Sequence, residues 1–372
     1  MRIEDRLRDA LRATADTIDD DRYRPLPERP RRPSLRARLA PVLAPLAVVI
    51  LLVGFLAARQ WSEPDEPERP QHPPAAMPKF FAALKEGTGD TRSRLHVRES
   101  GTGRVLDTFR APWGITLQAV TTTAGGQTFL ATSRPVSGKP CASSIHRVRV
   151  NGEGKIIQNE FLNAGNIRGG TNESGSIAVT PDGRHLAYAA GTCDGGDNTE
   201  LGIIDLETGR QRVWKETGDA SLGNLSWSRD GERLFFVRHL AESGEARMMD
   251  VSNAQEGTVG DRSEPLWRSD RDQSVRGVVP DATGGKVVVA TFQGASRDGK
   301  QRQGSEVLEI AVDTRRVVGR VLSRRDLPHR FDIFQPDVTG RYILTSEGII
   351  DLHFPTVVRE SGKTHGVDAD WG

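Results

Sequence analysis

Cys141 and Cys193 are the chain's two cysteines, and a thiol pair is the most definite chemistry its residue types offer. If their Cα atoms come within about 4.4–6.8 Å they can form a disulfide. An oxidising compartment would keep it; two separate buried thiols are the alternative. Asp332, Asp337 and Asp368 are the candidates for metal-assisted acid–base work, weighed against plainer parts in turns and solubility. Asp194-Gly195-Gly196-Asp197-Asn198-Thr199-Glu200 is rich in oxygen ligands of the calcium type. It lacks EF-hand spacing, so a solvated loop is the better reading. The eight histidines show no pair at metal-ligand spacing, and His185, His239 and His329 are expected at rims or strand ends. No Gly-x-Ser-x-Gly elbow, His-Glu-x-x-His helix or Walker loop occurs. Gly101-Thr102-Gly103 reads as a strand turn and not as a phosphate loop. No catalytic residue, cofactor or bound metal is therefore expected.

These side chains must be positioned by elements that repeat. SIAVTPDGRHLAYAA (176–190) recurs as LSWSRDGERLFFVR (225–238), GVVPDATGGKVVVAT (277–291) and IFQPDVTGRYILTS (333–346). A second rhyme follows each: LGIIDLETGRQRVW (201–214), ARMMDVSNAQEGTV (246–259), VLEIAVDTRRVVGRV (307–321) and IIDLHFPTVV (349–358). A unit of roughly 50 residues holding four short strands is a β-propeller blade. Lettering strands A to D from the axis outward, Pro-Asp-Gly or Asp-Gly turns A into B. Asp-x-x-Thr-Gly, clearest at Asp205 to Gly209, turns C into D. An earlier copy has TFLAT (128–132) as strand B and IHRVRVNGEGKIIQ (145–158) as C and D. Cys141 and Cys193 then fall in the B–C loops of adjacent blades.

KFFAAL (79–84), RLHVRES (94–100) and RVLDTF (104–109) supply strands B, C and D of a further blade that lacks strand A. The last residues, HGVDADWG (365–372), resemble NLSWS (224–228), with Trp371 in the place of Trp227 and Phe80-Phe81 matching Phe235-Phe236. The expected fold is all-β: a six-bladed propeller over 79–372, with five complete blades and one shared between the chain ends. Such sharing pairs strands that would otherwise be exposed edges. Five blades with a decorating hairpin is the alternative.

The Pro-Asp-Gly turns, the apolar strand B and the Asp-x-x-Thr-Gly turns resemble the TolB-like and WD-repeat-like propeller units. The resemblance covers about 79–372 and implies fold only. The whole layout resembles single-pass actinobacterial membrane proteins of that kind. The N-terminal helix resembles the cytoplasmic ends of membrane-bound anti-sigma factors, without their zinc-type His/Cys cluster.

Leu39 to Ala58 carries no charge and as a helix spans about 30 Å, the thickness of a bilayer core. Arg29, Arg31, Arg32, Arg36 and Arg38 precede it, while Glu63, Asp65, Glu66 and Glu68 follow. The positive-inside rule puts residues 1–38 in the cytoplasm and the propeller outside. The long segment before the span favours an uncleaved anchor over a signal peptide. Ile3, Leu7, Leu11 and Ile18 lie at helical spacing within about 2–20, a docking stripe for a cytoplasmic partner or a surface helix. Residues 59–78 read as a linker, in which Ser62 to Pro78, rich in proline and acids, forms an extended stalk of roughly 50 Å at most. With 51 basic against 50 acidic residues, no global field favours nucleic acid. The function expected is a binding module anchored by 39–58, recognising an extracytoplasmic protein or ligand. A propeller enzyme with a metal-assisted channel site and an envelope-assembly scaffold are the alternatives.

Overall fold

Closed turns between short apolar stretches make each repeat a four-stranded antiparallel sheet. The computed structural model describes residues 77–371 except 86–91, 124, 138–140, 172–174, 192–197, 242, 254–256, 270–272, 294–303, 323–333, 338–340, 346–347, 352–355 and 360–368. Five sheets consist of consecutive strands. The first holds β4 (Ile115–Thr122), β5 (Thr128–Pro135), β6 (Ala142–Val150) and β7 (Ile156–Arg168). The second holds β8 (Ile177–Val179), β9 (His185–Gly191), β10 (Asn198–Asp205) and β11 (Gln211–Lys215). The third holds β12 (Ser221–Trp227), β13 (Arg233–His239), β14 (Gly244–Asp250) and β15 (Glu264–Arg268). The fourth holds β16 (Gln273–Pro280), β17 (Lys286–Gln293), β18 (Gly304–Ala311) and β19 (Val317–Leu322). The fifth holds β20 (Phe334–Pro336), β21 (Tyr342–Thr345), β22 (Gly348–Asp351) and β23 (Thr356–Arg359).

The remaining sheet joins the chain ends. β1 (Phe80–Lys85), β2 (Arg94–Glu99) and β3 (Val105–Arg110) are completed by β24 (Ala369–Trp371), in the order β24-β1-β2-β3. Trp371 stands opposite Phe81, whereas Trp227 stands opposite Leu234. With Phe80-Phe81 set against Phe235-Phe236, the Trp371 pairing is displaced by two residues from that of Trp227, so the likeness is one of strand and not of register.

The core is divided into layers between neighbouring sheets, which is the packing of a propeller. Successive strand-B residues point to opposite faces. Leu234 and Phe236 therefore pack backward on Ala187, Ala189 and Trp214, while Phe235 and Val237 pack forward on Val278, Val287 and Val289. The same alternation sends Phe81 and Ala83 back against Tyr342 and Leu344, and Phe80 and Ala82 on to Phe129. Each fully buried Phe contributes about 1.5–3 kcal/mol from burial.

Two faces follow from this path. The turn face carries the A–B and C–D turns; the loop face carries the B–C loops and the connections between sheets. The turns close as the sequence implies. Gly183 takes φ 74°, which only glycine adopts without strain, and donates its N–H to the Thr180 carbonyl at 2.8 Å. Both chain ends, Phe80 and Trp371, lie toward the turn face.

One outer strand departs from its expected place. The rhyme put strand D of the third sheet within 246–259, but β15 begins at Glu264. A helical turn, α1 (Val259–Arg262), intervenes, capped by the Thr258 hydroxyl accepting from the Asp261 N–H. The Arg247 guanidinium donates to the Gly260 and Ser263 carbonyls and holds this insertion against β14.

Among the described residues no helix is long and apolar enough to cross a membrane. Residues 39–58, the stalk 59–76, and Ile3, Leu7, Leu11 and Ile18 lie outside the described residues.

Candidate functional site

Three inner strands are irregular partway along their length. β4 is bulged between Leu117 and Val120, β12 between Gly223 and Ser226, and β16 between Val275 and Gly277. Each bulge carries a polar residue: Gln118, Asn224 and Arg276. Such bulges re-aim side chains and are over-represented beside functional sites. Asn224 is one of two described non-glycine residues at positive φ, 50°, a conformation that costs free energy for a side chain. The Leu225 N–H next to it donates to Gly175 O of the preceding sheet at 2.8 Å. Adjacent Ser176 is fully buried, and its Oγ has no hydrogen-bond partner among the described residues, a state that costs about 1–3 kcal/mol.

On the turn face four carboxylates are engaged by their own turns. Asp182, Asp205, Asp230 and Asp250 accept hydrogen bonds from their own turns. Those bonds hold all four carboxyls below the usual carboxylate range. Asp337 Oδ1 accepts hydrogen bonds from the Arg341 and Tyr342 N–H groups at 2.9 Å each. Asp332, Asp368, His329 and residues 194–197 lie outside the described residues. His185 opens β9 and His239 closes β13. Among the described residues no cluster of three His, Cys, Asp or Glu is placed to hold a metal.

Cys141, exposed ahead of β6, is disulfide-bonded; Cys193 lies outside the described residues. The backbone around Cys141 leads toward the next sheet. Its carbonyl accepts from the Gly169 N–H at 3.1 Å, and Gly170 and Gly191 exchange both of their backbone hydrogen bonds. A Cβ on Gly169 would meet Gly191 O at 2.1 Å, so only glycine permits that approach.

Two buried polar groupings escaped the sequence reading. Beneath the loop face of the third sheet, Glu245 is fully buried among three arginines. Arg247 Nη1 lies 2.6 Å from its Oε2, Arg238 Nη1 lies 3.4 Å away, and Arg268 Nε donates to Oε1 at 2.7 Å. Glu216, from the preceding connection, takes the other side of Arg238 at 2.9 and 3.0 Å. Burial works to raise the Glu245 carboxyl, but the hydrogen bonds from Arg268 and Arg247 outweigh it and hold it below its usual value. The cluster ties the incoming connection to β13, β14 and β15.

The second grouping is Ser133 with His146, Oγ to Nε2 at 2.6 Å. The imidazole lies 4.0 Å from the Phe161 ring and 5.9 Å from Phe109 by centroid. Ser133 is 1% exposed and His146 2%, so no substrate reaches the hydroxyl. The pair is a satisfied core contact rather than a nucleophile and its base. Desolvation lowers the His146 pKa to about 4. In the unfolded chain it takes a proton near pH 6.5, while the folded site refuses it until about pH 4. The folded state's advantage is full above 6.5, falls as the pH drops through that window, and is gone below about 4. The expected loss is about 3 kcal/mol. Urea titrations at pH 7 and 4 measure it, against the double variant His146→Phe/Ser133→Ala. If that variant loses as much between the two pH values as the native chain, the imidazole is not responsible.

No protein-family model matches the chain, and no curated protein matches it in sequence. Solved structures similar to it include TolB from Acinetobacter baumannii, with TM-score 0.48 and 13% identity over 79% of this chain and 66% of that one. A putative TolB from Agrobacterium tumefaciens has TM-score 0.49 and 12% identity, over 80% of this chain and 99% of that one. The Pseudomonas aeruginosa periplasmic gluconolactonase PpgL has TM-score 0.43 and 14% identity, over 76% and 95%. The chain thus spans just under two thirds of the Acinetobacter TolB. These likenesses concern fold alone.

Proposed function

We propose that this chain is a single-pass membrane protein of the actinobacterial TolB-like kind, whose extracytoplasmic propeller acts as a binding module. The observation that carries the binding reading is the set of bulges on three inner strands, β4, β12 and β16, with Asn224 at positive φ on one of them. Bulges re-aim side chains and backbone strain persists where the surroundings enforce it, and both collect at functional sites. Anchoring rests on the apolar run 39–58 and its flanking charges. Residues 1–38, with the stripe Ile3, Leu7, Leu11 and Ile18, would remain available to a cytoplasmic partner.

Six blades closing through β24 are part of this reading. Its support is the layer of Phe81, Ala83, Tyr342 and Leu344, which packs the last full sheet against the first. A Cys141–Cys193 bridge is also part of it, supported by the disulfide at Cys141, by a sequence with two cysteines, and by the Gly170–Gly191 bridge two residues short of Cys193.

A photo-reactive residue at Asn224 on intact cells is expected to yield a discrete adduct, and one at Glu207 on the turn face none. Externally added protease should remove the propeller and spare residues 1–38. Adducts from both positions or from neither, or a propeller protected from the protease, would remove the reading.

A further inference from the structure

The sheet that joins the chain ends carries an arrangement its own stability does not favour. At its loop-face end Lys85 stands directly opposite Arg94, and Arg94 directly opposite Arg110. Three cations thus share one face of the sheet in a row across β1, β2 and β3, about 5 Å from strand to strand. Like charges directly opposite each other destabilise a sheet. Among the described residues no carboxylate pairs with any of the three. The loop 86–91, which carries Glu86 and Asp90, lies outside those residues. The row's field is felt nearby: His96 is held below the usual imidazole range by burial first, and then by Arg98, Arg94 and Lys85.

An apolar projection stands across the loop-face edge of the sheet from the row: Lys85 shares the face of Phe81 and Ala83, whereas Ala111 of the connection that follows Arg110 packs on the face of Leu84. Trp113 and Val136 are each 68% exposed, the highest among the large hydrophobic residues described. They sit on neighbouring loops joined by the Val136 N–H donating to Gly114 O at 2.8 Å. The Arg92 guanidinium lies 4.8 Å from the Trp113 ring centroid, which adds a fourth cation. Exposed Trp flanked by Arg is the composition of an interface hot spot.

We propose that this edge of the loop face docks an acidic protein segment carrying an apolar residue. The carboxylates of that segment lie along Lys85, Arg94 and Arg110, and its apolar side chain meets Trp113 and Val136. Charge complementarity selects the acid. Val136 selects a protein over an acidic polysaccharide, because a sugar chain stacks on an indole but gains little from an exposed aliphatic side chain. The row costs the fold stability and is kept for a partner, the exchange expected at binding sites. The proposal rests on the binding-module reading and names one partner chemistry for it.

The test uses the full chain in nanodiscs and, by fluorescence anisotropy at low salt, a labelled peptide of glutamates around a central leucine. A polygalacturonate oligomer of equal charge is the comparison probe. The native chain is expected to bind the peptide more tightly, with affinity falling as salt rises. Lys85→Ala/Arg94→Ala/Arg110→Ala and, separately, Trp113→Ala should each lose at least about tenfold. Arg94→Gln tells a docking row from a structural one: it should weaken binding while raising the thermal midpoint. Failure of the native chain to bind the peptide overturns the proposal. So does equal or tighter binding of polygalacturonate, retention of affinity within about twofold in the variants, or a lower midpoint for Arg94→Gln. An Asn224 adduct that survives the triple substitution would sink this docking row and leave the binding-module reading standing.

Discussion

Replacing Glu245 with glutamine is expected to destabilise the fold by about 3–5 kcal/mol, the cost of breaking a buried ion pair from one side. The carboxylate is fully buried and serves three guanidinium groups, which do not lose equally. Arg268 is 65% exposed in its side chain and turns to water. Arg238 keeps Glu216. Arg247 is 7% exposed and has nowhere to go, so its charge stays buried among Ser263 and the Gly260 carbonyl. The penalty therefore resides in Arg247, and a second substitution should relieve it. Glu245→Met/Arg247→Met replaces the pair by apolar groups of similar size, which is often neutral or stabilising for a buried ion pair. Urea midpoints at pH 7 for the native chain, Glu245→Gln and the double variant decide this. A single substitution costing under about 1 kcal/mol would mean that water reaches the cluster.

The contrast between the visible repeats and this cluster shows what a sequence carries openly. Turns are local: a Thr-Pro-Asp-Gly stretch holds its carboxylate, its hydroxyl and its glycine within four residues, so the closed turn at Thr180 to Gly183 is written in one place. Strand B is nearly as local, because its apolar run is long enough to be buried on both faces. The likeness of the Trp371 stretch to the Trp227 stretch points to a longer reach, and β24 does pair with β1 at the far end of the propeller sequence.

Glu245, Ser133 and His146 were not legible, since each depends on register across a hairpin. Ala131 stands opposite His146, while Ser133 reaches His146 diagonally, and nothing within either strand marks the pair. The displaced β15 failed for a similar reason. The third sheet spends its C–D connection on α1, and the contact that holds α1 comes from Arg247 on another strand. The cation row is a third case. Lys85, Arg94 and Arg110 are ordinary surface residues one at a time, and only pairing lines them up.

Replacing Cys193 with serine is expected to cost up to about 4 kcal/mol, the chain-entropy value for opening a loop of about 50 residues. The figure falls if the native bridge is strained, and the neighbouring backbone argues that it has little freedom to relax. Gly169 is held to the Cys141 carbonyl, and Gly170 and Gly191 are locked together. The bridge would therefore staple a contact between adjacent sheets that the backbone already makes. A pair also predicts a pattern that two separate thiols do not. Cys141→Ser, Cys193→Ser and the double variant should be equally destabilised, because the first substitution already opens the loop. Independent thiols would give costs that add. Dithiothreitol should bring the native chain to the level of the variants and leave the variants unmoved. Non-reducing alkylation should add no mass to the native chain; labelling of both cysteines there, or additive costs, would remove the bridge.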